Sequence, residues 1–386
     1  MIMKLRELYI KGFKSIDGEH GATIPFGDVT VLLGANGAGK SNAVSAFHLL
    51  QSIARQELRQ FVSKQGVSSL LFYGPKKTKA ITLKTFFDDG AENYYEIKLP
   101  FGHGDNLFVG YERIDFGQKQ GTEQPVRHQE SNGERTLSDG YSIPQGESGE
   151  SGLAQHDRGT SKRVYDFLSR IRIYQFHDTS EAAKIKDRGY IDDAKELHHD
   201  AGNLATFLKM LKDHPPYEKY YQRIVRRIQR VMPQFGDFEL EPLPGNQDYV
   251  RLNWRDSSGS DYLFSPHQIS DGSLRFMALA TLLLQPPDLL PKFVVLDEPE
   301  LGLHPAAIAE LAAMVNMAAQ KTQVLLATQS PRLVDEFSPD NVVIVERDEN
   351  LHGSVFKKLD SEELAAWLNE YSLSELWEKN VLGGQP

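Results

Sequence analysis

The sequence predicts an α/β fold with a mixed central sheet, an antiparallel β subdomain and a helical subdomain inserted between two halves of the core. Three observations carry this. The apolar run Val29–Leu33 stops at Gly34, and a glycine-rich turn leads into a helical pattern from Ser41, where Val44, Phe47, Leu50, Ile53 and Ala54 recur at three- and four-residue steps. A second apolar run, Phe293–Leu296, reads as a strand buried on both faces and delivers two adjacent carboxylates at its end. Ile81–Phe87 and Tyr95–Phe101 alternate with period two, as an antiparallel pair does.

In chain order, Leu5, Leu8, Ile10 and Phe13 mark an extended opening, and residues 1–116 form the N-terminal part of the core with its β subdomain, Asp88-Asp89-Gly90 turning between the paired strands. Residues 117–163 are rich in Gly, Ser, Gln and Glu and poor in aliphatics; such a segment buries too little surface to offset its ordering entropy, so it is expected to be a mobile insertion. Residues 164–180 carry a core strand around Ile171, Ile173 and Tyr174. Residues 181–236 read as a charged helical subdomain broken at Pro215-Pro216. Residues 237–386 return to the core, with strands Phe238–Glu241, Tyr249–Trp254, Val324–Ala327 and Val342–Val345, a helix from about Ser273 and another after Pro305. Trp367, Leu373, Leu376 and Trp377 read as a packing helix or docking element.

Composition narrows the function. Cysteine is absent, which removes disulfide frameworks and thiolate metal sites and fits a reducing, cytoplasmic setting. No run approaches the roughly 20 apolar residues of a membrane span, and the start has no secretory pattern, so a soluble protein is expected. With 43 basic and 53 acidic residues the net charge is −10, which argues against a surface that binds nucleic acid all over and leaves room for a local basic face.

The chemistry starts at Gly34-Ala35-Asn36-Gly37-Ala38-Gly39-Lys40-Ser41, followed by Asn42. It fits G-x-x-x-x-G-K-[ST] between a strand and a helix. Glycines let successive N–H groups converge on phosphate oxygens, the helix start adds its dipole, Lys40 can neutralise β/γ charge and Ser41 can ligate Mg²⁺. A plain glycine turn with a surface lysine would not need this strand-to-helix setting. Asp297 is suited to hold Mg²⁺ directly or through water, and Glu298 to polarise attacking water as general base. Alone, the pair would read equally well as an acidic turn.

Ser270-Asp271-Gly272-Ser273, before an apolar helix, resembles the signature of the ABC ATPases, Leu-Ser-Gly-Gly-Gln; Ser270 and Gly272 match it, Asp271 and Ser273 depart. A simple N-cap would use the same residue types. Leu137-Ser138-Asp139-Gly140 has similar letters with no apolar helix behind it and is set aside. Together with Pro299-Glu300-Leu301-Gly302-Leu303-His304-Pro305, Ala327-Thr328-Gln329-Ser330-Pro331 and the opening Ile10-Lys-Gly-Phe13-Lys14-Ser15, the motifs resemble the RecF/SMC branch of ABC ATPases, and within it stand-alone ATPases allied to the overcoming-lysogenization-defect (OLD) nucleases.

That resemblance implies a P-loop NTPase head of the ABC type, with ATP and Mg²⁺ as cofactors and a head-to-tail homodimer in which the signature of one copy meets the γ-phosphate bound by the other. It implies Lys14 and Ser15 near the nucleotide, and Gln175 as the glutamine that reaches Mg²⁺ and water. Gln329 stands where most ABC ATPases have a switch histidine; glutamine can orient water but cannot carry a proton, so slow basal turnover is expected. His304 replaces the aspartate of transporter ATPases. The implied setting is DNA maintenance, repair or phage defence, with DNA or a separate nuclease or toxin chain as partner and no membrane. An ATP-dependent scaffold with negligible turnover is the alternative.

Three clusters stay open. Arg223, Arg226, Arg227 and Arg230 sit at near-helical spacing and offer a stripe for phosphate backbones, or an ordinary solvated face. Lys76, Lys77 and Lys79 form a smaller cluster. His198-His199-Asp200 suggests a metal site, against which adjacent imidazoles on a helix would point apart.

Overall fold

Period-two burial organises the first strands: Leu8 and Ile10 are fully buried on Leu5–Lys11, and Ile81, Leu83 and Phe87 on Ala80–Phe87. The computed structural model describes residues 3–88, 93–102, 104–115, 135–137, 141–143, 149–155, 159–242 and 245–385. The chain divides into two units, residues 1–171 with 339–386, and residues 172–338.

In the first unit, Leu5–Lys11 pairs antiparallel with Ala22–Pro25 on one side and Ala80–Phe87 on the other, and Tyr94–Gly102 continues the sheet. Asn106–Leu107 and Tyr111–Asp115 both pair with Tyr94–Gly102. A mixed set of strands carries the candidate site. Val342–Asp348 runs parallel to Val29–Leu33 and antiparallel to Gly353–Lys358. All five residues of Val29–Leu33 are buried, as the apolar run requires. The helix Lys40–Ala54 follows, burying Phe47, Leu50 and Ile53 completely, each worth about 2 kcal/mol of transfer free energy.

In the second unit, Phe293–Asp297 and Gln323–Thr328 form a parallel pair, with Asp297 opposite Ala327. The helices Asp271–Leu284 and Pro305–Ala319 pack against each other, and Leu204–Asp213 and Glu218–Val231 pack on this layer. No helix of the described residues is long and apolar enough to cross a membrane.

Several expectations shift. The segment Glu181–Asp200 is irregular rather than helical, with only a 3₁₀ turn at Lys184–Lys186 and a short strand at Gly189–Tyr190. Short polar side chains compete with the helix ladder there: Asp200 Oδ1 accepts from the Gly202 N–H at 3.0 Å and Asn203 Oδ1 from the His198 N–H at 2.9 Å. His198 and His199 therefore lie outside any helix; His198 reaches Asp193 at 3.1 Å, and no group of three candidate ligands occurs among the described residues. The strand expected at Phe238–Glu241 spans Phe235–Glu239 and pairs with Asn253–Asp256, while Tyr249–Val250 pairs instead with Gly189–Tyr190.

Three short helices, Leu58–Gln65, Val67–Leu70 and Gly74–Lys77, lie between the first long helix and Ala80–Phe87, beyond what the sequence pattern predicts. Most of the segment 117–163 lies outside the described residues, as do Asp89-Gly90 and Ser138–Gly140; the helix Gly159–Leu168 starts within that segment and buries Val164, Phe167 and Leu168. In the C-terminal helices Leu373, Leu376 and Trp377 are buried, but Trp367 on Ser361–Leu368 is 48% exposed, so only the second helix packs as expected.

Candidate nucleotide site

The first unit supplies the glycine loop. Gly37 and Gly39 have φ of 82° and 123°, the left-handed side that glycine tolerates. At Gly39 a Cβ would stand 2.1 Å from Ser354 Oγ, so no other residue fits. The loop is braced from beneath: Asn42 Nδ2 donates to Ser15 Oγ at 2.7 Å, Ser15 Oγ and Ser354 Oγ are 2.7 Å apart, and Ser354 Oγ donates to the Ala38 carbonyl at 2.6 Å. Lys40 is 6% exposed, its ammonium donating to the Gly34 and Ala35 carbonyls at 2.6 and 3.0 Å. Ser41 is exposed in the first turn of the helix. The Ala35 N–H donates to the Gly384 carbonyl at 2.9 Å, tying the C-terminal segment to the loop.

Beside the loop, Lys14, Ser15, Asn42, Gln65, Ser69, Phe72, Tyr73 and Arg347 line a cleft of about 410 Å³. Lys14 takes a left-handed backbone (φ 50°), and burial lowers the pKa of its ammonium. Phe72 and Tyr73 meet edge to face at 4.5 Å. The loop and this cleft fit a polyphosphate carrying a flat group: the N–H groups and Lys40 suit the phosphates, and the exposed Tyr73 ring an apolar one.

The second unit supplies the carboxylates. Asp297 closes its buried strand, and Gln175 Nε2 donates to Asp297 Oδ2 at 2.9 Å. His177 Nε2 stands 2.9 Å from the Asp297 carbonyl. Glu298 follows with φ 45°, a left-handed backbone rare outside glycine, while its N–H continues the ladder to the Ala327 carbonyl at 2.8 Å. Strain of this kind occurs where the surroundings over-determine a functional side chain. Glu300 is 8% exposed; Thr328 donates to its Oε1, and its Oε2 has no hydrogen-bond partner among the described residues. Burial raises its pKa, opposed by the Thr328 bond and reinforced by the charges of Glu298 and Asp297. Gln329 follows directly after the strand Gln323–Thr328.

The signature segment lies in the same unit. Ser270 is the N-cap of Asp271–Leu284, its Oγ accepting from the Ser273 N–H at 3.2 Å, so the capping role is real. Asp271 is exposed and 3.6 Å from Lys186, whose side chain is 5% exposed. A Cβ on Gly272 would stand 2.3 Å from the Gly302 carbonyl, so this position needs glycine for a close backbone approach. His304 caps the helix Pro305–Ala319, its Nδ1 accepting from the Ala306 N–H at 3.3 Å.

Sequence reasoning missed four contributors. Ser354 and the Gly384 carbonyl meet the loop from remote segments and carry no motif. Glu300 lies inside the Pro299–Pro305 motif, whose resemblance implies no role for it. Arg275 is the densest: Nε donates to the Phe176 carbonyl at 3.1 Å, Nη2 to the His177 carbonyl at 2.9 Å and Thr179 Oγ1 at 3.3 Å, and Nη1 to the Leu301 carbonyl at 2.8 Å. A basic residue one turn into the signature helix was the available signal.

Residues 29–335 match the family described as "AAA domain, putative AbiEii toxin, Type IV TA system". The energy-coupling factor transporter ATP-binding protein EcfA2 of Ligilactobacillus salivarius (strain UCC118) is 24% identical over 229 residues, 59% of this chain and 70% of that protein. The protein called "Putative ABC transporter ATP-binding protein MG303" of Mycoplasma genitalium (strain ATCC 33530 / DSM 19775 / NCTC 10195 / G37) is 26% identical over 110 residues, only 28% of this chain and 29% of its own length. Among solved structures, an SMC head bound to the C-terminal winged-helix domain of ScpA aligns at a TM-score of 0.57 and 15% identity, covering 93% of this chain and 99% of that one. An SMC head with an extended coiled coil, bound to the C-terminal domain of ScpA and described as derived from Pyrococcus furiosus, aligns at 0.56 and 16%, covering 95% and 99%. At such identities the likeness is one of fold. The fold is that of SMC head domains, and the chain belongs to this AAA-domain family.

Proposed function

We propose that the protein binds ATP with Mg²⁺ and hydrolyses it slowly in a head-to-tail homodimer, and that closing and opening the dimer gates access to DNA or to a separate effector chain. The observation that carries this reading is the Gln175–Asp297 contact, which aims an amide and a carboxylate together beside Glu298 at the end of a buried strand. In this reading the N–H groups of Gly34–Ser41 and Asn42 cradle the phosphates, with Lys14 and Ser15 nearby. Lys40 turns from the loop carbonyls to the β/γ oxygens. Ser41, Asp297 and Gln175 would hold Mg²⁺, which would supply charge neutralisation on the phosphates. Glu298 takes the proton of the attacking water and Gln329 orients that water. Ser270, Asp271, Gly272 and Ser273 offer a hydroxyl and helix-start N–H groups to the γ-phosphate held by the partner copy.

Glu298→Gln in ATP and Mg²⁺ should bind nucleotide, lose turnover and accumulate as dimer in light scattering or sedimentation. Ser270→Arg added to it should restore the monomer while nucleotide binding persists. A Glu298→Gln protein that stays monomeric, or that turns over like wild type, would sink the reading. Gln329, which cannot relay a proton, supports a second reading, an ATP-held scaffold; retained dimerisation with negligible wild-type turnover against every DNA and partner tested would favour it. Family resemblance supports a setting in DNA maintenance, repair or phage defence.

A further inference from the structure

We propose that the solvent face of the helix Glu218–Val231 binds the phosphate backbone of duplex DNA. This names the partner of the ATPase proposed above and adds a site outside the nucleotide machinery. The helix buries Tyr221, Ile224, Val225 and Ile228 at i, i+3, i+4 and i+7, which turns Lys219, Arg223, Arg226 and Arg230 outward, all four exposed. Along EKYYQRIVRRIQRV there are five basic residues and one acidic, Glu218 at its first position. A solvated helix in a chain of net charge −10 would ordinarily mix signs on its outer face.

The pairing leaves the stripe cationic. Glu310 takes Arg227 as its main partner and reaches Arg230 at 3.4 Å, so one carboxylate is divided between two guanidiniums. Arg223 and Arg226 have no ion-pair partner among the described residues; Arg223 lies over the Tyr220 ring at 5.6 Å, as does Lys219 at 5.2 Å. Arg223, Arg226, Arg227, Gln229 and Arg230 line a concavity of about 380 Å³.

The chemistry selects among polyanions. The outward cations step by four, three and four residues, about 4.5–6 Å along the axis at 1.5 Å per residue, a ladder suited to successive phosphates. The arginine fork matches a phosphate bidentately. None of the large exposed apolar residues lies on this helix, so an acidic protein would find no anchor to bury, and single-stranded nucleic acid would find no open aromatic platform, Tyr220 being covered by its own cations. An acidic body with one basic stripe also orients the duplex onto that face.

The test is fluorescence polarisation of the full chain with a 30-base-pair duplex of arbitrary sequence, between 50 and 200 mM NaCl, with and without ATP. Four phosphate contacts predict a slope of log K against log salt of about −3.6. Arg223→Ala/Arg226→Ala, both at exposed positions, should weaken binding at least about tenfold and flatten the slope by about 1.8, with sequence preference unchanged. Melting temperature and ATP binding should match wild type. A control carrying Lys76→Ala, Lys77→Ala and Lys79→Ala should bind like wild type. Wild-type affinity in the double variant, no duplex binding by wild type, loss in the lysine control instead, or saturable binding of polyglutamate in place of duplex would each overturn the proposal. Duplex affinity is also read without nucleotide, so a chain that binds duplex but never hydrolyses ATP fails the ATPase reading alone.

Discussion

The glycine loop and the carboxylate cluster are built on opposite plans. The loop Gly34–Ser41 is mostly backbone, shaped by φ angles and held by a relay of neutral hydroxyls and one amide through Ser15, Asn42 and Ser354. The cluster around Asp297 is mostly side chain: the Gln175 amide meets the Asp297 carboxylate, the Thr328 hydroxyl meets Glu300, and Glu300 is buried with an oxygen unsatisfied among the described residues. A backbone cradle tolerates loss of a neighbour because its shape is local. In the cluster the buried Glu300–Thr328 pair depends on both members, since removing one leaves a buried polar group unpaired.

The contrast can be broken where it is sharpest. Lys40 alone brings formal charge to the loop; under the proposed function Lys40→Ala should weaken ATP binding about 100-fold or more in calorimetry, as loss of charge-assisted hydrogen bonds to the phosphates implies. Near wild-type affinity would show the backbone suffices. In the cluster, Glu300→Leu strips Thr328 of its acceptor and should cost about 1–3 kcal/mol of stability, whereas Glu300→Gln keeps an acceptor and should be far milder. Because the folded state raises the Glu300 pKa above its ordinary 4.5, the folded protein holds that proton more tightly. The associated stability is present below pH 4.5 and is lost as pH rises through the folded-state value. The melting temperature of Glu300→Gln relative to wild type should therefore climb across the acid range and then level off; a flat difference would mean that Glu300 is ionised as readily folded as unfolded. The smallest effect belongs to the loop's brace: Ser354→Ala removes hydroxyl bonds from a cradle with its own local shape, and should cost about 1 kcal/mol with ATP affinity nearly kept. A large loss of affinity there would erase the distinction between the two plans.

The same difference explains what the amino-acid sequence disclosed. The strand, glycine loop and helix from Val29 to Ala54, and the strand ending in Asp297-Glu298, were legible because periodicity and chemistry lie in one contiguous run. Gln175 is named only through the resemblance, with no local chemistry of its own, and folding places it on a carboxylate 122 residues away. Ser354, 316 residues from the carbonyl it supports, had no local signature at all. The segment from Glu181 to Asp200 misled because charge and spacing imitate a helix, while Asp200 and Asn203 spend their side chains on turns.

Arg275 has a mechanical consequence. A guanidinium is a flat, stiff plate, and this one is fastened at once to the carbonyls of Phe176, His177 and Leu301 while its stem is rooted in the helix that Ser270 caps. Rotating that helix must drag all three attachment points or tear some of them loose, so gradual yielding at one of them is disfavoured. A lysine, with a single point of attachment, would let the two segments, Phe176–His177 and Leu301, drift separately.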